Sequence, residues 1–76
     1  MDYQLSDHAA RRINKRGIKV EWVAAALMHP DTTENDAEDA TLVHALKEIP
    51  EKGFRVLRVI YNETTQPVVV VTAFFE

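Results

Sequence analysis

The sequence predicts an α+β domain in which two N-terminal helices pack on one face of a three- or four-stranded antiparallel sheet. Three observations predict it. Two stretches with helical spacing, closed by Gly17 and Pro30, occupy the first part of the chain. Three apolar or alternating runs bounded by turn formers fill residues 41–76. No repeat or linker separates the halves, so residues 1–76 are read as one domain with helices and strands segregated along the chain.

The elements follow in the order strand, helix, helix, strand, strand, strand. Met1 to Leu5 reads as a short strand, because Tyr3 and Leu5 alternate with Asp2 and Gln4 as a half-buried strand would. Ser6 offers a hydroxyl to the free N–H groups of a helix start, and Asp7 adds negative charge where the dipole favours it. Gly17 fits the left-handed position after the helix, so the first helix is expected from Asp7 to Arg16, with a narrow apolar stripe of Ala9, Ala10 and Ile13. A second helix is expected from Val20 to Met28 on the spacing of Val20, Val23, Ala24 and Leu27, with Trp22 off the stripe as a packing residue.

Asp31 to Asp39 reads as an acidic loop with at most a brief edge strand at Thr32 and Thr33. Strands are then expected over Thr41–Ile49, Phe54–Asn62 and Val68–Phe75, separated by turns at Pro50–Gly53 and Glu63–Pro67. In the middle strand Leu57 and Val59 are assigned to the helix-covered face, because the alternative would bury the charge of Arg58 without an obvious partner. His44 and Arg58, and either Thr72 with Val70 and Phe74 or their neighbours, are then expected on the open face.

Composition narrows the chemistry. A chain of 76 residues buries only about 60–65% of its unfolded surface, so its core is thin, and with no cysteine neither disulfides nor thiolate-bound metal can reinforce it. MDYQLSD does not resemble a signal peptide and no apolar run approaches the roughly 18 residues of a membrane span, so a cytoplasmic location and no membrane partner are expected. The formal charge of -3 is unevenly spread: residues 1–19 carry five cations against two acids, whereas residues 20–54 carry eight acids against two cations. A local basic face can hold phosphate while the acidic half turns away. There is no metal-ligand spacing, the two glycines exclude a glycine-rich phosphate loop, and the single serine is explained by capping. No metal or cofactor is expected.

What remains is histidine with arginine. On a helix His8, Arg12 and Arg16 recur every fourth residue and fall within about an 80° arc. Guanidinium forks match phosphate oxygens, and imidazole exchanges protons near neutrality, a set sufficient for metal-free RNA cleavage by attack of a ribose 2′-hydroxyl. His8, in a first turn where the dipole and neighbouring arginines oppose protonation, is the candidate base. His44 is the candidate acid, and Arg12 and Arg58 are expected to hold phosphate. For Arg58, which interrupts the apolar run VLRVIY, an ion pair with the acidic segment is the competing structural role.

The motif His8-x3-Arg12-x3-Arg16-Gly17-Ile18, the helix ending at Pro30, and the strands RVLRVIYN and VVVVTAFF resemble a family of small bacterial domains of unknown function grouped with RelE/ParE-like toxins. The resemblance covers nearly the whole chain and implies a RelE-like order of elements, with the family's helix positions on His8, Arg12 and Arg16 and its strand positions on Arg58 and Thr72. It implies a toxin-like domain of a type II toxin-antitoxin pair, acting as a metal-independent RNA endonuclease. Arg12, Arg16 and Thr72 would then bind substrate, and His8, His44 and Arg58 would carry catalysis. The implied partners are an antitoxin protein and RNA. A second class of function is a non-catalytic protein-interaction module with the same fold, and the exposed final strand could pair with an antitoxin or with a second copy in a homodimer. The two classes separate on whether His8, Arg58 and Thr72 converge on one electropositive concavity.

Overall fold

A computed structural model describes residues 2–76, so Met1, the expected start of the first strand, lies outside the described residues. Its elements are β1 (Tyr3–Leu5), α1 (Asp7–Lys15), α2 (Val20–Met28), β2 (Thr32–Asn35), β3 (Leu42–Ile49), a single 3-10 turn (Pro50–Lys52), β4 (Arg55–Asn62) and β5 (Val68–Phe75). The strands form one five-stranded sheet in the order β1-β5-β4-β3-β2. The fold class is therefore α+β as expected, with two corrections.

The sheet is mixed rather than antiparallel, because β1 runs parallel to β5, with Tyr3 opposite Val68 and Leu5 opposite Val70. A parallel pair requires a long connection, and here nearly the whole domain supplies it. No hairpin ties the direction of β1 to a neighbour, so the turn signals in the sequence carry no information about it. The second correction is the count of five strands. Thr32–Asn35 is a full strand on β3, from Thr32 opposite Leu46 to Asn35 opposite Val43. All four of its residues are exposed, so no face is buried and no apolar alternation announces it.

Local chemistry accounts for the helices. The Ser6 hydroxyl accepts from the Ala9 N–H at 3.0 Å, and Ala9 and Ile13, four residues apart, turn the same side of α1 into the core. After the helix, the Gly17 N–H donates to Asn14 and the Ile18 N–H to Ile13, the paired bonds of a Schellman cap, with Gly17 at φ 66°. Ile18 then folds back onto the core beside Ile13. The buried side of α2 consists of Trp22, Val23, Ala26 and Leu27, which is rotated from the expected stripe and leaves Val20 half exposed.

The helices cover the sheet face that carries Leu57 and Val59, both fully buried together with Val23 and Val70. Of the two alternatives for β5 neither holds along its whole length, because a register shift between Ile60 and Tyr61 separates Val70 from Thr72: Thr72 pairs with Ile60 but Val70 with Tyr61. Val71 is the extra residue of a β-bulge, so Val70 and Ala73, three apart, both face the helices. Beyond Val70 no strand lies outside β5 among the described residues. Instead α1 packs along it, and the Arg16 guanidinium donates to the Ala73 carbonyl at 2.8 Å. No helix among the described residues is long and apolar enough to cross a membrane.

Candidate functional site

The six residues singled out from the sequence divide between the two sides of the sheet. His44, Arg58 and Thr72 lie on the open face, where Ile60 pairs with both His44 and Thr72 and Arg58, two residues along β4, is the next position on that face. His8, Arg12 and Arg16 are exposed on α1, which packs on the opposite face through Ala9 and Ile13. His8 and Arg58 therefore have the sheet between them, and no single concavity holds both. Alternation settles this, since Arg58 flanks the buried Leu57 and Val59 and must point the other way.

On the open face His44 and Arg58 are engaged with each other and with acids. An Arg58 Nη1–H donates to His44 Nδ1 at 2.7 Å and to Glu34 Oε1 at 3.0 Å, and Nε and Nη2 both donate to Glu76 Oε2 at 3.2 and 2.8 Å. A guanidinium cannot accept, so Nδ1 must present its lone pair and the ring proton resides on Nε2, which donates to Asp36 Oδ1 at 2.7 Å. Both nitrogens of His44 are thus committed, and its side chain is only 15% exposed. It cannot pass a proton to a substrate without breaking one of two short contacts. The two glutamates hold the Arg58 guanidinium above its ordinary pKa. Hydrogen bonds from His44 and from the Asp39 and Glu38 N–H groups hold the Asp36 carboxyl below its usual range. This is the arrangement of a structural ion-pair network that ties β2, β3, β4 and the chain end together.

The cations left without an acid gather elsewhere. Among the described residues only Lys47 and Arg58, of the nine lysines and arginines, have a side-chain carboxylate within 4.0 Å, and an Arg55 Nη2–H donates to the Glu76 main-chain oxygen at 3.4 Å. Three of the others meet at one corner on the helix side, and a fourth, Lys19, flanks it across the Trp22 ring. Arg16 from the end of α1, Lys52 from the 3-10 turn and Arg55 from the start of β4 line a depression of about 280 Å³ with Phe74 and Phe75. Lys52 and Arg55 stand 5.9 and 5.2 Å from the centroid of the Phe75 ring, Trp22 meets that ring edge-on at 5.9 Å, and Lys19 lies 5.5 Å from the Trp22 centroid. Aromatic faces hold these ammonium and guanidinium groups close together without neutralising them.

Of the residues expected to bind substrate, Arg16 alone enters this corner. Lys19, Lys52 and Arg55 each stand at the edge of an element, where a charge usually serves only solvation, so their residue types alone do not mark a site. The four consecutive residues Lys52-Gly53-Phe54-Arg55, an aromatic between cations beside a turn glycine, are the local signal that could have marked it. No group of three or more His, Asp or Glu residues arranged to hold a metal ion occurs among the described residues.

Neither a curated protein nor a solved structure matches the chain. A family model described as a domain of unknown function, DUF4258, matches residues 5–75, and that match carries no link to RelE/ParE-like toxins. The match spans the cap at Ser6, both helices and the last four strands, which is nearly the entire fold described above. The chain belongs to the DUF4258 family of domains of unknown function.

Proposed function

We propose that this domain binds RNA through its phosphate backbone at the basic corner formed by Arg16, Lys19, Lys52 and Arg55, and that it does so without cleaving it. The observation that carries the reading is that four cations with no side-chain carboxylate partner gather there from the end of α1, the loop before α2, the 3-10 turn and β4. Concentrated unpaired charge is what releases counterions from a polyanion and supplies sequence-independent affinity. Cleavage requires a base and an acid on either side of one phosphodiester. The exposed His8 and the committed His44 stand on opposite sides of the sheet, so neither can complete a site with the other.

A toxin-like role stays within this proposal as capture of RNA rather than its destruction. The test is fluorescence anisotropy with a labelled single-stranded RNA 12-mer in low salt, followed by a denaturing gel of the same sample. Wild type should bind and leave the RNA intact, Lys52→Ala with Arg55→Ala should bind at least tenfold more weakly, and His8→Ala should match wild type. Undiminished binding by the folded double variant would remove the corner from consideration. RNA cut by wild type but not by His8→Ala would restore the endonuclease.

A further inference from the structure

Phe54 is the one aromatic side chain that the fold does not use. Two caps of the same kind occur in this chain. At the end of α1, the residue after the left-handed glycine, Ile18, is 5% exposed and completes the core. At the 3-10 turn the Gly53 N–H donates to Pro50 and the Phe54 N–H to Ile49, each at 3.0 Å, the same pair of bonds. There the corresponding residue is Phe54, and it is 63% exposed. Its backbone also lies at φ 63°, the only residue other than glycine at positive φ among those described. A bulky residue avoids that region because its β-carbon crowds the carbonyl, so strain here maintains an arrangement that puts the ring into water.

The position of this ring in the chain matters. Phe54 immediately precedes Arg55 and follows Lys52 by two residues, so it is the chain neighbour of two cations that line the depression, without lining it itself. Proteins that hold single strands combine cations that follow the backbone with aromatic faces on which bases stack. A paired duplex has no free base face to offer. We infer that Phe54 is a stacking platform for an unpaired base, which makes the ligand of this corner single-stranded RNA and not a duplex. The inference rests on the RNA-binding reading above and adds to it the choice between strand forms.

An acidic protein segment is the competing ligand for the cations, but it gives no role to a solvent-facing ring. A second copy of this chain is a poor supplier of that segment. Three of the acids on and beside its exposed edge strand are already engaged: Glu34 with Arg58, Asp36 with His44, Asp31 with Lys47.

The experiment compares wild type, Phe54→Leu, Phe54→Trp and the Lys52→Ala, Arg55→Ala double variant on four probes: single-stranded RNA, a duplex of equal length, inorganic polyphosphate and poly-glutamate. Wild type should prefer the single strand to the duplex. Phe54→Leu should lose about tenfold or more on the single strand and nothing on polyphosphate, and Phe54→Trp should keep wild-type affinity. The double variant should weaken on both RNA forms and on polyphosphate. If the double variant weakens while Phe54→Leu binds the single strand like wild type, stacking is wrong and the basic corner stands. If Phe54→Leu loses equally on polyphosphate, the ring acts on the corner's structure and stacking is again wrong. Poly-glutamate bound more tightly than RNA, or no RNA bound by folded wild type, overturns both.

Discussion

The strain at Phe54 can be measured apart from any ligand by replacing it with glycine and with alanine. Both substitutions remove the ring, so whatever apolar contact its buried third provides is lost equally and cancels in the comparison. What differs is the β-carbon at φ 63°. Holding a β-carbon in the left-handed region costs about 1–2 kcal/mol, and glycine's greater freedom in the unfolded chain returns about 0.5–1 kcal/mol of that. Phe54→Gly should therefore be more stable than Phe54→Ala by about 0.5–1 kcal/mol. With an m-value near 1 kcal/mol per molar for so small a domain, the urea midpoint of the glycine variant should lie about 0.5–1 M higher. The assay is equilibrium urea unfolding followed by Trp22 fluorescence, with equal m-values as the check that both variants unfold from the same structure. Equal midpoints, or a more stable alanine variant, would refute the strain and with it one support for a functional ring.

Three further outcomes follow from the same geometry. Arg58→Met should destabilise by about 1–2 kcal/mol in urea unfolding, most of it from the unpaired His44 nitrogen, because Glu34 and Glu76 are 54% and 42% exposed and recover solvation. Asp36 has a lowered carboxyl pKa, so its stabilising contribution is present above the ordinary value of 3.8 and disappears as pH falls below it through the folded value. Asp36→Asn should therefore flatten the acid limb of a stability-against-pH curve below 3.8 without abolishing it, because Asp39 is lowered as well, by hydrogen bonds from Thr41. Leu57→Ala, at a fully buried position contacted from both layers, should cost about 2–5 kcal/mol and leave a visibly unfolded fraction by circular dichroism at 37 °C.

The parts of the fold legible in the sequence are those decided locally. Ser6 and Gly17 mark the ends of α1 because capping is a matter of a few neighbouring atoms, and Leu57 with Val59 identify the covered face because a buried Arg58 would be costly. The direction of β1, the full extent of β2 beyond Thr32 and Thr33, and the side taken by Val70 depend on partners far along the chain or on one extra residue at Val71. A one-residue shift turns every later side chain to the other face, so alternation alone could not place Val70. The site was legible only in its ingredients. That cations would bind phosphate follows from residue type, but pairing His8 with Arg58 requires knowing which side of a sheet each occupies. Arg58 was also read as a competing ion pair with the acidic segment, and Glu34 of that segment is its partner.

An acidic chain that binds a polyanion must keep its own acids from repelling the ligand, and distance across the sheet determines whether it can. The acidic edge strand β2 lies three strands from β5, about 14 Å at the usual strand spacing. At physiological ionic strength the screening length is about 8 Å, so its field is largely spent before it reaches the basic corner, whereas near 0.01 M salt the length is about 30 Å and the acids are felt in full. Four cations on a single strand should give a slope of log K against log salt near -3 above about 0.15 M. The slope should flatten as salt falls below about 0.02 M, and Glu38→Gln, which neutralises an exposed acid just beyond β2, should restore part of it. A slope near -1 above 0.15 M would mean that a single cation makes the contact. A constant steep slope down to 0.01 M would mean that RNA never senses the acidic half, and the corner would then have to be more isolated from β2 than three strands allow.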